Sequence, residues 1–379
     1  MTQIVMPWLP ASAINIKQTD NVACGLLNVG NSCYLNCVLQ ILIRVQSLDQ
    51  FFGEFWPVLD SDAFTLSMSE KEETLNILTA LRDSHAAMQK CNRNIIKSGN
   101  GDTTVSSPTA AIDGRDDIYS PMSLLNIIQR SNPLFTSGGQ QDAHELLCYV
   151  LDKWCLPLHV VCGRNKALLK QFFGWEGVLR TVITCCECGQ SSSRNETFRE
   201  LSLRVISGHS LSWALREYCA GERLRDGNKY FCENCLHSME AVRKVSIIQF
   251  PRYLCIHFQR NDSVTSSSKK QSVIPSPMTL RLDMCAGTDG SIRQETSPTY
   301  ELFAIVIHAG GSGFAGHYYS YVQASKEKEK EKEKDGNSQW LRCDDTNVKN
   351  VSTAEILSLF TPCAESVHTP YMLFYRQIS

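Results

Sequence analysis

The sequence predicts an α+β fold in which helices come first and strands follow. Apolar residues recur with helical spacing after Leu35, Leu75 and Ala143, whereas from Trp175 onward the runs alternate or stay continuously apolar and β-branched. Two C-x-x-C pairs lie inside the strand-rich part. With 379 residues, 43% of them hydrophobic, the chain can bury a large core as one big domain or two.

Residues 1–23, with Pro7 and Pro10 and no periodicity, are expected to form a short leader. Gly25-Leu-Leu-Asn28-Val-Gly30-Asn31-Ser32-Cys33-Tyr34-Leu-Asn36 then runs into a helix with Leu35, Val38, Leu39 and Leu42 on one face. Gly30 and the Asn31-Ser32 pair suit an N-cap, so Cys33 is placed at a helix N-terminus. There the helix dipole and unpaired N–H groups favour a thiolate, the form that acts as nucleophile. A small cysteine packed at a helix start fits the same residues. A base, an orienting group and an oxyanion donor decide between the two.

A second helix is expected over residues 69–82, with a capping signature before Leu75, Leu78 and Leu81, followed by a solvated loop over 97–117. After Gly138-Gly139, Gln140-Gln-Asp142-Ala-His144-Glu145-Leu-Leu-Cys-Tyr-Val-Leu151 is again helical. Asp142 and Glu145 share nearly one face of its first turn. They complement the helix dipole, or they grip a basic ligand; the spacing fits both.

The strand region opens with residues 177–184. Cys185/Cys188 and Cys232/Cys235 each sit beside strand-like sequence, and four thiolates in two such knuckles can close a tetrahedral Zn²⁺ site, or remain unmetallated structural cysteines. Residues 189–231 between them exceed a short finger, so a subdomain has to bring the pairs together. Cys186 and His237 are expected to be bystanders. Strands are expected over 245–250 and 253–260, polar loops over 261–277 and 285–299, and a buried strand over 300–308. A glycine-rich loop over 309–316 leads to a strand from His317 to Val322. Lys and Glu alternate over 326–334 as a solvated hairpin tip, Trp340 to Val348 returns as a strand carrying Asp344-Asp345, and 371–375 closes the chain. His308 ends an apolar strand with no acidic neighbour in sequence. His317 follows a glycine-rich loop and precedes Asp344-Asp345.

Lys and Arg (37) balance Asp and Glu (39), for a net charge of −2, so no basic field exists to attract nucleic acid or anionic membrane. No run approaches the length of a membrane span, and the N-terminus carries no export signal. Seventeen cysteines in such a chain are expected to be reduced thiols, some holding metal, which points to the cytoplasm or the nucleus.

In order, Asn28, Cys33, His317 and Asp344 have the residue types for an oxyanion donor, a nucleophile, a base and an orienting carboxylate. Their settings resemble the ubiquitin-specific protease family of cysteine isopeptidases. The resemblance rests on the Gly-Leu-x-Asn-x-Gly-Asn-Ser-Cys-Tyr-x-Asn box, Gln-Gln-Asp-Ala-His-Glu-Leu, both knuckles, the strand from Pro251 to Arg260, Gly-His-Tyr-x-x-Tyr-Val and Trp-x-x-x-Asp-Asp-x-x-Val. It implies a papain-like fold over residues 24–377. The expected parts are a helical thumb (about 24–156), zinc-ribbon fingers (about 175–250) and a β-rich palm (251–377). It also implies that Cys33 attacks the carbonyl of a modifier's terminal glycine. His317 serves as base, Asp344 orients it, Asn28 donates to the oxyanion, and Asp345 is the second acid of the pair. Asp142 and Glu145 would meet the modifier's basic tail, Tyr318 would line the tail channel, and residues 310–316 would gate it. Zn²⁺ held by Cys185, Cys188, Cys232 and Cys235 would be structural, with no organic cofactor.

The sequence departs from the family at Phe258-Gln-Arg-Asn, where a basic-aromatic ending is common, and it is expected to be nearly the catalytic domain alone, without the flanking domains of many members. In size it resembles the interferon-induced branch that removes an interferon-stimulated ubiquitin-like modifier. Ubiquitin and that modifier both remain open as substrates. A weakly active binding scaffold is a competing reading, disfavoured because all four catalytic residue types are present; a zinc-ribbon nucleic-acid binder fails on charge.

Overall fold

The computed structural model describes residues 22–56, 68–98, 117–136, 139–162, 165–260, 270–283, 298–311, 315–324, 340–361 and 366–378. Most of the expected leader, residues 99–116 of the 97–117 loop, much of the two polar loops and the whole Lys/Glu run lie outside them.

The chain begins with strand β1 (Gly25–Leu26), which pairs in parallel with β2 (Ile118–Tyr119). Helix α1 (Cys33–Leu42) follows β1 and is buried along its whole length. Next come α2 (Gln46–Gln50), a π-helical turn (Phe51–Phe55) and the long α3 (Met68–Ser98). The helix expected over 69–82 thus runs further, because residues 83–98 hold Ala, Met, Gln and Lys and no glycine or proline. Helices α4 (Met122–Ser131) and α5 (Ala143–Cys162, with Pro157 inside) and the short α6 (Lys166–Phe172) complete the helical part.

From Gly177 the elements are mainly strands. β3 (Gly177–Cys185), β4 (Ser191–Phe198), β6 (Glu222–Leu224) and β9 (Ala241–Gln249) form a sheet in the order β4-β3-β9-β6. β7 (Tyr230–Cys232) and β8 (His237–Met239) form a separate hairpin.

Among the described residues the larger sheet has eight strands. It contains β5 (Glu200–Arg204), β10 (Tyr253–Gln259), β11 (Thr279–Arg281), β12 (Thr299–Ala309), β13 (His317–Gln323), β14 (Trp340–Asp344), β15 (Asn347–Val351) and β16 (His368–Gln377). Their order is β15-β14-β13-β12-β16-β10-β5, with β11 on β12; β5 runs parallel to β10 and the other pairs are antiparallel.

Both faces of this sheet are covered, which is why β12 reads as a continuous apolar run rather than an alternating one. Phe303, Val306, Met372 and Phe374 face a core shared with α1, α4 and α5. Leu302, Ile305, Leu373 and Tyr375 face a second core that includes Leu211 and Leu215 of α7 (Leu211–Cys219) and Ile356 of α8 (Thr353–Ser358). Helix α1 lies against β13, so its N-terminus is held beside the start of that strand.

Arg260, at the departure from the family's strand ending, has a structural task. It is 3% exposed and its guanidinium donates to the carbonyls of Pro370, Lys270 and Ser272 at 2.8–2.9 Å.

Candidate active site

The loop before α1 sets the position of Cys33. Gly30 and Asn31 both adopt positive φ (97° and 52°), which turns the chain sharply into the helix. Ser32 stands at the cap position, but its hydroxyl accepts from the Val29 N–H at 2.9 Å and caps no helical donor. The sequence expectation of a side-chain cap is therefore corrected: the hydroxyl stiffens the loop, and the first N–H groups of α1 stay uncapped by a side chain. Cys33, 2% exposed, is the first helical residue.

Strand pairing brings the partners. Residues 317 and 344 are far apart in sequence, but β13 and β14 are adjacent antiparallel strands, with Ser320 opposite Cys343. His317 Nε2 lies 2.6 Å from Asp344 Oδ1, and the Cys33 thiol is close enough to the imidazole to favour its charged form. With Nε2 engaged by the carboxylate, Nδ1 is left for the sulfur. The Asp344 hydrogen bond, then Cys33, outweigh burial and push the imidazole up to about 10. Burial works to raise the Asp344 carboxyl. His317, and then Arg342 at 2.9 Å, overcome it and hold the group below its ordinary range.

Arg342 was not singled out by sequence reasoning. It is two residues before Asp344 on one strand, so the two side chains share a face, and its guanidinium also lies 4.5 Å from the Tyr319 ring centroid. That i, i+2 spacing was the available signal.

Asn28 and Asp345 form a second arm. Asn28 Nδ2 donates to Asp345 Oδ2 at 2.8 Å, and Asn28 Oδ1 accepts from the Ser32 N–H at 3.1 Å. Asp345 Oδ1 accepts from Asn36 Nδ2 at 2.7 Å, and its backbone carbonyl accepts from Leu26 N at 2.9 Å. The carboxylate thus joins the loop before Cys33 to the buried Asn36 of α1. Asn36 stands in the sequence box, but its hydrogen-bonding task was not legible there.

The acidic pair is split. Asp142 caps α5, with Oδ1 accepting from His144 N at 2.7 Å, while Oδ2 accepts from the Tyr371 hydroxyl at 2.6 Å. Burial and the nearby Asp142 charge raise the Glu145 carboxyl, against a smaller pull from His144. Tyr318 is buried beside Tyr371, with ring centroids 5.6 Å apart. Gln140 Oε1 accepts from Gly316 N, joining the loop before α5 to the loop before His317. Residues 312–314 of that glycine-rich stretch lie outside the described residues. His308 packs against the rings of Tyr318 and Tyr371.

The four knuckle cysteines converge. Cys185 Sγ lies 4.0 Å from Cys235 Sγ, Cys188 Sγ lies 3.6 Å from Cys232 Sγ, and all four fall within 4.8 Å of one another. A tetrahedral zinc with Zn–S near 2.3 Å needs sulfurs roughly 3.8 Å apart, so the donor set fits. Such an ion would join the turn after β3 to the β7–β8 hairpin. Cys186 is exposed and outside the cluster, and His237 Nδ1 contacts the Cys235 carbonyl at 2.5 Å.

Comparison with known proteins agrees with this geometry. The sequence matches the family model described as ubiquitin carboxyl-terminal hydrolase over residues 24–375. It is 29% identical to the probable ubiquitin carboxyl-terminal hydrolase 16 of Schizosaccharomyces pombe, covering 89% of this chain and 66% of that protein. It is 27% identical to ubiquitin carboxyl-terminal hydrolase 25 of Arabidopsis thaliana, covering 94% and 49%. The chain spans about half to two thirds of the length of these relatives. In fold it is similar to a chain of the SAGA Ubp8/Sgf11/Sus1/Sgf73 module solved with ubiquitin aldehyde, with TM-score 0.65, 21% identity, and coverage of 96% of this chain and 71% of that one. The chain belongs to the ubiquitin carboxyl-terminal hydrolase family.

Proposed function

We propose that the chain is a thiol isopeptidase that cleaves after the C-terminal Gly-Gly of ubiquitin on conjugated proteins. The observation that carries this reading is the convergence of three side chains: Cys33 at a helix N-terminus stands beside the His317 imidazole, whose Nε2 lies 2.6 Å from Asp344 Oδ1. His317 takes the Cys33 proton, and the thiolate attacks the glycine carbonyl. The oxyanion that forms is met by the second N–H of the Asn28 amide and by backbone N–H groups at the start of α1. The His317 imidazolium then protonates the leaving lysine amine. A water deprotonated by the same ring hydrolyses the thioester. Asp344 holds the imidazole's orientation, Arg342 holds Asp344, and Asp345 holds Asn28.

The tail of the modifier would thread between α5 and β13, past Tyr318. Glu145 is the carboxylate offered to a basic tail residue there, while Asp142, held by Tyr371, shapes the wall. In this reading residues 24–156 are the thumb, 175–250 the fingers and 251–377 the palm, with a structural zinc in the fingers. An enzyme dependent on one thiol and a four-cysteine site suits the reducing cytoplasm or nucleus.

Ubiquitin is favoured over the interferon-stimulated modifier because the relatives carry ubiquitin in their names and the similar SAGA modules were solved with ubiquitin aldehyde and with monoubiquitin. The test is hydrolysis of fluorogenic C-terminal derivatives of both modifiers. Faster turnover of ubiquitin is expected, exclusive turnover of the other would reassign the substrate, and turnover of neither would favour a binding scaffold.

A further inference from the structure

We propose that His144, Cys148, Glu200 and His257 form a second site for a divalent ion of the zinc type, separate from the four-cysteine cluster and from Cys33. The four residues come from three elements. His144 and Cys148 are four apart on α5, so their side chains emerge one above the other on one helix face. Glu200 starts β5, the edge of the large sheet, and His257 lies on β10 opposite Ser202. Residues 200 and 202 point to the same side of their strand, so the carboxylate and the imidazole both face the helix.

The distances fit an ion. His144 Nε2 lies 3.2 Å from Glu200 Oε2 and 3.4 Å from Cys148 Sγ. Nitrogen, oxygen and sulfur donors bound to zinc at about 2.0–2.3 Å stand roughly 3.3–3.6 Å apart at tetrahedral angles, so these two separations from His144 are compatible with a coordination shell, which the Cys148 thiol completes by turning toward Glu200 and His257. A ring nitrogen of each histidine and a Glu200 oxygen fall within 4.8 Å of one another. Imidazole, carboxylate and thiolate together favour zinc over magnesium or calcium, which take oxygen ligands. The Ser202 hydroxyl, 2.9 Å from Glu200 Oε2, is placed as an outer partner that orients the ligating carboxylate. The His144 and Glu200 side chains retain 17% and 24% exposure, so an ion can reach them.

One ring has to move. The two imidazoles are stacked, with centroids 3.8 Å apart and planes 13° from parallel, so both lone pairs cannot aim at one ion as they stand. His257 is the ring that turns about its Cβ–Cγ bond, exchanging the 2.9 Å contact of its Nδ1 with the Ser202 hydroxyl for the metal. It also packs edge-on against Tyr371, whose hydroxyl holds Asp142. Ion binding therefore reaches the wall proposed to receive the modifier tail, and its kinetic signature is a change in KM.

The experiment loads the four-cysteine site of the full chain with zinc and then titrates Co²⁺, following the d–d bands and the thiolate-to-cobalt charge-transfer band. The expected result is a second equivalent with a charge-transfer band. Cys148→Ser should abolish that band, and Glu200→Gln should weaken the second equivalent at least tenfold. Both variants are close to isosteric, and circular dichroism verifies their folding. If the wild-type chain takes up no second equivalent, or if either variant binds it unchanged, the site is a hydrogen-bonded cluster only and the proposal falls.

Discussion

Asp345→Asn separates the two arms of the active site. The substitution keeps a residue type that tolerates the left-handed backbone at this position, where φ is 52°. It removes the charge and leaves one carbonyl oxygen where two oxygens served Asn28 and Asn36. Asn36 is 3% exposed, so its donor is the costlier one to strand, and the remaining oxygen should stay with it. The new amide then meets Asn28 Nδ2 donor to donor. Turning the Asn28 amide over repairs that contact only by taking Oδ1 away from the Ser32 N–H. Asn28 is exposed and water can take its donor, so the weakened hydrogen bonds should lower stability by about 0.5–1.5 kcal/mol, the net worth of an ordinary hydrogen bond. An unanchored Asn28 no longer waits preorganised for the oxyanion, which should lower kcat by about 10²-fold with little change in KM. The assay pairs steady-state hydrolysis of a fluorogenic ubiquitin derivative with the rate of Cys33 alkylation by iodoacetamide. Alkylation should hold steady, because His317 and Asp344 are untouched. If alkylation slows as much as kcat does, Asp345 acts through the base and the separation into two arms is wrong.

The other expectations follow from the same geometry. Purified protein should carry about one zinc per chain when the second site is empty, and Cys232→Ser should release it and loosen the fingers; an equally stable, metal-free wild type would contradict the four-cysteine site. Glu145→Lys should raise KM and its salt sensitivity, whereas Asp142→Asn should lower thermal stability through its cap and Tyr371 bonds; a KM effect confined to Asp142 would reverse those assignments. For pH, the His317 imidazole is raised to about 10 from an ordinary value of 6.5, so its stabilisation is complete below about 6.5 and is lost as pH rises through about 10. Denaturation between pH 6.5 and 10 should therefore show a loss of stability in the wild type that is smaller in His317→Gln, and equal losses would refute the pairing.

How much of this was legible in the sequence depended on whether the contact was local. The apolar spacing after Leu35 and the β-branched runs after Trp175 record burial directly, and they foretold α1 and the sheets. The polar loop before Cys33 read as a cap by composition, but the Ser32 hydroxyl turned back to Val29 because the positive-φ pair Gly30-Asn31 folds the loop onto itself. Asp142 shows the same limit. Its helix-start position was visible, but its bond to Tyr371 crosses 229 residues and depends on the sheet order, which no local pattern encodes. β5 pairing in parallel with β10, and with it the meeting of Glu200, His257 and His144, is a consequence of that order too. Arg342 was within reach of sequence reasoning, since strand alternation puts it on the Asp344 face.

The pairing of Cys33 with His317 is tested by the site and pH dependence of covalent capture. The protein is incubated with ubiquitin bearing a C-terminal thiol-reactive group, and the adduct is mapped by mass spectrometry across a pH series in the wild type, Cys33→Ala, His317→Ala and His308→Ala. Cys33 as nucleophile with His317 as its base requires one adduct, on Cys33, absent in Cys33→Ala, with a pH dependence shifted upward in His317→Ala and unshifted in His308→Ala. An adduct on another cysteine, or a pH profile governed by His308, would contradict it.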